Sequence, residues 1–220
     1  KDNSYVTEFA AVHNCWTPWF GFYGQNSGYD SLEEAFGILA KYIPAVETGL
    51  SSDPAMNWRM EELANRAIVS FSDAHSPAKI GREATIFEVD EITFENIRKL
   101  NIAYTIEFYP EEGKYHFTGH RKCGVVYSPN EARKMGLTCP VCGKSLTIGV
   151  MGRVEHLATL NIETKSERDK YGVRWIKEKN GQRPGYVMMV PLMEILAEAY
   201  GVGVDSRKIT DNYELITNNF

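Results

Sequence analysis

The chain has 220 residues, of which 43% are hydrophobic, enough for one large core or two smaller ones. No window approaches the roughly 18 uninterrupted apolar residues of a membrane span, and four cysteines with a single C-x2-C pair do not imply a disulfide framework. The net charge of −5 looks wrong for a nucleic-acid partner until it is divided along the chain.

The first predicted strand is Phe9–Val12, a short apolar run that ends on His13 and is followed by Trp16, Pro18, Trp19 and Phe20. Ser31 to Tyr42 reads as an amphipathic helix, opened by Ser31 and Glu34 at capping-box spacing. A second apolar run, Ile43 to Val46, delivers Glu47, and the loop Thr48 to Asp53 leads into a predicted helix from Pro54 to Asn65. A third run, Ala67 to Phe71, ends in Asp73 and His75. In an extended backbone residues i and i+2 point to the same side, so these two leave as a neighbouring O and N donor pair suited to Zn²⁺, Mn²⁺ or Fe. A lone D-x-H is weak evidence, since a turn capped by Asp73 explains it equally well. Three successive strands that each end in a metal-capable side chain, separated by helices, predict parallel βα units whose carboxyl ends converge on one site.

Farther on, Thr93 to Leu100 reads as a short helix, Ile102 to Phe108 as a strand, and Arg153 to Leu160 as a helix. After the Pro184-Gly185 break, Val187 to Tyr200 has the apolar stripe of an amphipathic helix, with Met188, Met189 and Met193 as core side chains. Gly201-Val202-Gly203 terminates it and is no dinucleotide loop, and no G-x4-G-K-[ST] phosphate loop occurs.

Between these elements His120-x2-Cys123 and Cys139-x2-Cys142 stand fifteen residues apart. Two such knuckles fold back to make one tetrahedral N/S site, a strong signal for a structural zinc with no open coordination position. Gly124 and Gly143, each one residue past its knuckle, permit the tight turn. His116 is an alternative to His120 on spacing alone, whereas Cys15 reads as a packing residue.

Residues 1–112 carry 8 Lys+Arg against 18 Asp+Glu, a balance of −10, and residues 184–220 carry 2 against 5. Residues 113–183 carry 14 against 6. The excess of +8 coincides with the zinc knuckles and the segment after them, where phosphate contact calls for it. An acidic first half is compatible with bound cations, which invert the local field.

His13 to Trp19, Glu47 to Asp53, Ser72 to Ser76 and Ile80 to Glu83 together resemble endonuclease Q, a DNA-repair nuclease family built on a PHP (polymerase and histidinol phosphatase) domain. The likeness runs from about residue 9 to about residue 205. It implies an α/β fold: the C-terminal part of a distorted, TIM-like PHP β/α barrel over 1–108, a zinc-ribbon-like module over 109–158, and a basic segment with a helical tail over 159–220. It also implies metal-dependent hydrolysis of a phosphodiester 5′ to deaminated or abasic nucleotides, in a cytoplasmic enzyme whose partner is DNA. Carried over to this sequence, His13, Asp73 and His75 are the expected catalytic residues and ligands of divalent Zn, Mn or Mg, with Glu47 as a further ligand. His120, Cys123, Cys139 and Cys142 are expected to hold the structural zinc. Ser51, Ser52, Asn57 and Arg59 on the loop past Glu47, with Lys79 and Arg82 after the D-x-H, are expected to meet DNA, and Trp16, Trp19 and Trp58 are candidate stacking surfaces or core. PHP enzymes begin with an H-x-H strand that is absent here, so the sequence is expected to be the C-terminal portion of a longer protein, inactive by itself. Two alternatives stand beside this reading: a small-molecule phosphoesterase of the histidinol phosphatase kind, which needs no zinc module or basic surface, and a non-catalytic DNA-binding module.

Overall fold

The structure, a computed structural model, describes residues 16–19, 21–26, 28–181 and 183–219; the predicted strand at residues 9–12, His13 and Cys15 lie outside them. Ser31 caps helix α1 (Leu32–Phe36) through the Glu34 amide at 3.0 Å, and Glu34 reaches back to the Asp30 amide at 2.7 Å. The expected helix to Tyr42 ends at Phe36 and continues as a 3-10 helix over Gly37–Tyr42. Gly37, at φ 53°, turns the chain out of the α-helix, and Pro44, which offers no N–H to the Ala40 carbonyl and pushes Ile43 out of helical geometry, ends the 3-10 stretch. Arg66 takes over, donating to the Ala40 and Ile43 carbonyls at 3.1 Å each.

Strand β1 (Ala45–Glu47) follows, then helix α2 (Pro54–Trp58), capped by Asp53, whose carboxylate accepts from the Met56 amide at 2.8 Å. This helix also falls short of the expected Asn65. The Arg59 carbonyl accepts instead from the Thr159 and Leu160 amides at 2.9 Å, and a 3-10 turn over Glu61–Leu63 leads into strand β2 (Ala67–Val69). The two strands pair in parallel, Val46 opposite Ile68, as expected of a βα unit. Their inner side chains join Trp16, Phe22, Tyr23, Leu32, Leu63, Val150 and Val154 in the largest core cluster.

The elements that follow are β3 (Ala84–Phe87), α3 (Phe94–Arg98), β4 (Ile102–Glu107), β5 (Thr118–His120), β6 (Val125–Tyr127), α4 (Pro129–Met135), α5 (Val150–Leu157), β7 (Thr164–Arg168), β8 (Arg174–Glu178) and β9 (Gly185–Met188). Five of the strands form a mixed sheet in the order β3-β4-β9-β8-β7, in which only β4 and β9 are parallel. Helix α5 begins at Val150, three residues before the expected Arg153. Arg153 on α5 is buried and binds the Tyr23 and Tyr29 carbonyls and the Asp30 carboxylate, locking α5 to the first described segment.

The predicted helix Val187–Tyr200 needs correction. Val187 and Met188 are on β9 in the middle of the sheet, Met189 is 44% exposed, and helix α6 (Leu192–Tyr200) starts only after Pro191. An apolar run long enough for strand plus helix reads as one helix when the sheet partner is out of view. The contacts divide the chain into two compact units with the boundary between Met188 and Met189. In the second, α6 packs on α7 (Arg207–Thr217), with the Tyr200 hydroxyl donating to Asn212 at 3.0 Å.

Candidate functional site

Past β2 the backbone leaves strand geometry, and Asp73 sits at φ 44°, a left-handed conformation that Asp tolerates better than most residues. Asp73 and His75 therefore do not project side by side from an extended chain as the spacing predicts. A turn brings them together: His75 Nδ1 lies 2.9 Å from the Asp73 carbonyl oxygen and 3.9 Å from Oδ1. A carbonyl only accepts, so Nδ1 carries the proton and Nε2 keeps its lone pair, the arrangement in which histidines ligate metals. The His75 ring is 87% exposed. Arg82 donates to the Ser72 carbonyl at 2.8 Å and, more distantly, to that of Asp73. Ser72 Oγ, accepting from the Gly81 amide and donating to the Glu83 carbonyl, ties the same turn down. Chemically the pair supplies one O and one N ligand, which fits a divalent cation. Glu47 is buried at the end of β1, and among the described residues no third expected ligand is gathered with Asp73 and His75.

Two further carboxylates lie buried near Glu47, and sequence reasoning gave neither a site role. Glu107 at the end of β4 accepts from Thr48 at 3.1 Å, Ser70 at 3.0 Å and Thr105 at 2.5 Å. Glu83 accepts from the Phe108 amide at 3.2 Å, and its second oxygen has no hydrogen-bond partner among the described residues. Burial pushes the Glu83 carboxyl up to about 8, against the Phe108 amide and Arg82, with Glu47 adding to the rise. Burial and the neighbouring Glu83 raise Glu107 as well. Glu107 repeats the signal that picked out Glu47, an apolar run ending in an acid.

The raised Glu83 carboxyl has a consequence for stability. The folded state holds a proton that the unfolded state releases near 4.5, so Glu83's contribution is full below that pH and is lost as the pH climbs through about 8. Thermal melts of metal-free protein should show Glu83→Gln flattening the decline between these limits; an unchanged slope would assign the decline elsewhere.

The loop candidates face inward. Ser52 and Asn57 are buried, Ser52 Oγ donating to the Thr48 carbonyl at 2.7 Å and Asn57 Nδ2 to Ser52 Oγ at 3.1 Å. Ser51 is buried with its carbonyl 3.0 Å from His116 Nδ1, and Arg59 pairs with Glu155 at 2.6 Å. These groups shape the loop. Trp16 is core, stacked on Tyr23 and donating to Asn57 at 2.7 Å, and Trp58 packs edge-on against Tyr186. Trp19 differs, being 43% exposed.

The four expected zinc ligands converge. One ligand atom from each of His120, Cys123, Cys139 and Cys142 lies within 4.8 Å of all the others. His120 ends β5, and its turn carries Cys123; Gly124 at φ 66° and Gly143 at φ 71° make the left-handed exits from the two knuckles. The Thr138–Ser145 and Gly119–Thr147 bridges close the second knuckle onto the first. His116, buried and bonded to Ser51, stands outside the cluster, so the choice falls on His120. Burial raises the Cys139 thiol, but the Cys142 and Val141 amides and His120 outweigh it and bring it down to about 6. Burial, with Cys142 and Cys139 beside it, drives Cys123 up to about 11. A donor set of three thiols and an imidazole with one thiol already acidic fits zinc.

No family model matches the chain. It is 34% identical to the uncharacterised protein MJ0043 of Methanocaldococcus jannaschii over 97% of its own length and 26% of that protein's. It is 32% identical to the uncharacterised protein YqxK of Bacillus subtilis over 70% of the chain and 40% of that protein. It thus spans well under half the length of these curated relatives. Among solved structures, the lesion-specific endonuclease PfuEndoQ of Pyrococcus furiosus superposes with a TM-score of 0.76 at 32% identity, covering 96% of this chain and 50% of that one. An endonuclease Q complex with a 27-mer duplex substrate, an abasic lesion at its active site, gives 0.75 at 32% over 94% and 49%. Among the described residues no helix is long and apolar enough to cross a membrane.

Proposed function

Because the chain belongs to the endonuclease Q family, we propose that it is part of a metal-dependent DNA endonuclease that hydrolyses a phosphodiester 5′ to deaminated or abasic nucleotides. The likeness to PfuEndoQ, at a TM-score of 0.76 over 96% of the chain, carries this reading. Within it, β1 and β2 belong to the carboxyl-terminal part of a PHP barrel over 1–108, 109–158 is the zinc module, and 159–220 the basic segment and tail. The setting is the cytoplasm.

Asp73 through its carboxylate and His75 through Nε2 would hold a divalent cation, with His13 and Glu47 as the further expected ligands. That cation, when bound, supplies an acidified water and neutralises phosphate charge. Arg82 keeps the turn at Ser72 and Asp73 in place, and with Lys79 it offers positive charge to the DNA backbone. Ser51, Ser52, Asn57 and Arg59 act by fixing the shape of the loop that follows β1.

Full-length protein should nick duplexes containing uracil, hypoxanthine or an abasic site on the 5′ side of the lesion, and EDTA should abolish the nick. Equal cleavage of undamaged duplex, or cleavage that survives EDTA, would remove this reading.

A further inference from the structure

Glu83 and Glu107 are 1% and 0% exposed, and among the described residues neither forms an ion pair. An acid buried without a cation weakens a fold, so its presence calls for a role beyond stability. Strands β1 and β2 are three residues each, and the ladder between them ends where the Thr48 amide donates to the Val69 carbonyl at 3.0 Å. Past that bond the side chains take over. One oxygen of Glu107 accepts from both Thr48, at 3.1 Å, and Ser70, at 3.0 Å, and the other is held by Thr105. Thr48 directly follows Glu47, and Ser70 stands three residues before Asp73. Thr85 on β3 fixes Ser70 from another side, bonding its amide at 2.8 Å and its carbonyl at 2.9 Å. Glu83 completes the frame: its carboxylate accepts from the Phe108 amide, next to Glu107, and its carbonyl from the Ser72 hydroxyl, next to Asp73.

We propose that Glu107 is a positioning residue: by joining the ends of β1 and β2 beyond their ladder, it sets the separation of Glu47 from the turn that carries Asp73 and His75. A cation held by groups from two strands binds only as well as those strands are spaced, and the hydrogen-bonded partners behind the ligands set that spacing. Being fully buried, Glu107 acts through Thr48 and Ser70 and touches no substrate. The inference rests on the metal-dependent reading above and adds to it the buried group that spaces the ligands. It commits to more than packing, since a packing role predicts lost stability with cation affinity unchanged.

Calorimetric titration of Mn²⁺ into metal-depleted, full-length protein tests it, with nicking of a uracil-containing duplex as the second readout. Glu107→Ala should weaken Mn²⁺ binding about tenfold or more and raise the Mn²⁺ needed for half-maximal nicking by the same factor, with KM for DNA unchanged. Glu107→Gln, which keeps the shape and can bond the same hydroxyls, should restore wild-type affinity. Thr48→Val and Ser70→Ala should move Mn²⁺ affinity in the same direction as Glu107→Ala, and they carry the decision if that variant fails to fold. Wild-type Mn²⁺ affinity in Glu107→Ala, or in both hydroxyl variants, would overturn the assignment. So would loss of Mn²⁺ binding in Glu107→Gln, which would make Glu107 a ligand itself. If wild type binds Mn²⁺ without nicking, the nuclease reading falls and the affinities still decide the role of Glu107. If wild type binds no Mn²⁺, both fall.

Discussion

Cys139→Ser or Cys142→Ser should remove the expected zinc and unfold the two knuckles, while Asp73→Asn should keep one zinc per chain at this site. Outside α5, whose Val150 and Val154 belong to the largest cluster, the knuckles have little else to hold them: their own core is Val125, Cys139 and Leu146, with Cys123 and Tyr127 against them, so two of these five residues are expected ligands. Binding free energy at structural zinc sites is about 10–16 kcal/mol near neutral pH and is folding free energy. A core of that size supplies only a fraction of it. Three thiols sharing one small volume also repel as they ionise; burial, with Cys142 and Cys139 beside it, holds Cys123 at about 11, while the Cys142 and Val141 amides and His120 bring Cys139 to about 6. Metal replaces that repulsion with ligation and displaces the protons, so affinity should rise with pH between these values. Metal analysis and circular dichroism of the two serine variants provide the measurement. Full zinc occupancy in Cys139→Ser would show that these four residues are not the site.

Asp73→Asn in the full-length protein should leave folding intact and reduce nicking by about a thousandfold or more. Asparagine accepts the left-handed conformation at φ 44° as readily as aspartate, so the turn pays no added strain. The bonds from His75, Arg82 and Ser72 that help fasten this turn run to or from main-chain groups, which the substitution leaves in place. What disappears is one negative ligand charge. Ligation of this kind is worth several kcal/mol of transition-state stabilisation, and about 4 kcal/mol corresponds to about three orders of magnitude in rate. Single-turnover nicking of a uracil-containing duplex, with thermal melts as the folding control, gives the answer. Wild-type rates in Asp73→Asn would detach the chemistry from this turn.

Ligand sets differ in how plainly they show in a sequence. His120, Cys123, Cys139 and Cys142 fall in two short knuckles, so their spacing nearly dictates their geometry, and they converge as expected. Asp73 and His75 are equally close in sequence, yet the route by which they meet was different: a left-handed turn braced by Arg82, with no extended strand end. The His116 alternative was open on spacing and closed only by the Ser51 carbonyl, sixty-five residues away.

The sequence by itself determined the local features: the cap at Ser31, the parallel run of β1 and β2, the zinc knuckles and the glycine exit from α6. Each rests on residues a few positions apart, or on a periodicity that any partner would satisfy. Tertiary structure alone decided where α2 stops, because the competing partners, the amides of Thr159 and Leu160, arrive from elsewhere in the chain. It also divided Val187–Tyr200 into strand and helix, since β9 exists only where β4 and β8 flank it. Burial sets the proton affinity of Glu83 and Glu107, and the position of Tyr115 beside Trp19 distinguishes one exposed tryptophan from two buried ones. Desolvation and the meeting of distant side chains are properties of the packed chain, and no window of sequence contains them.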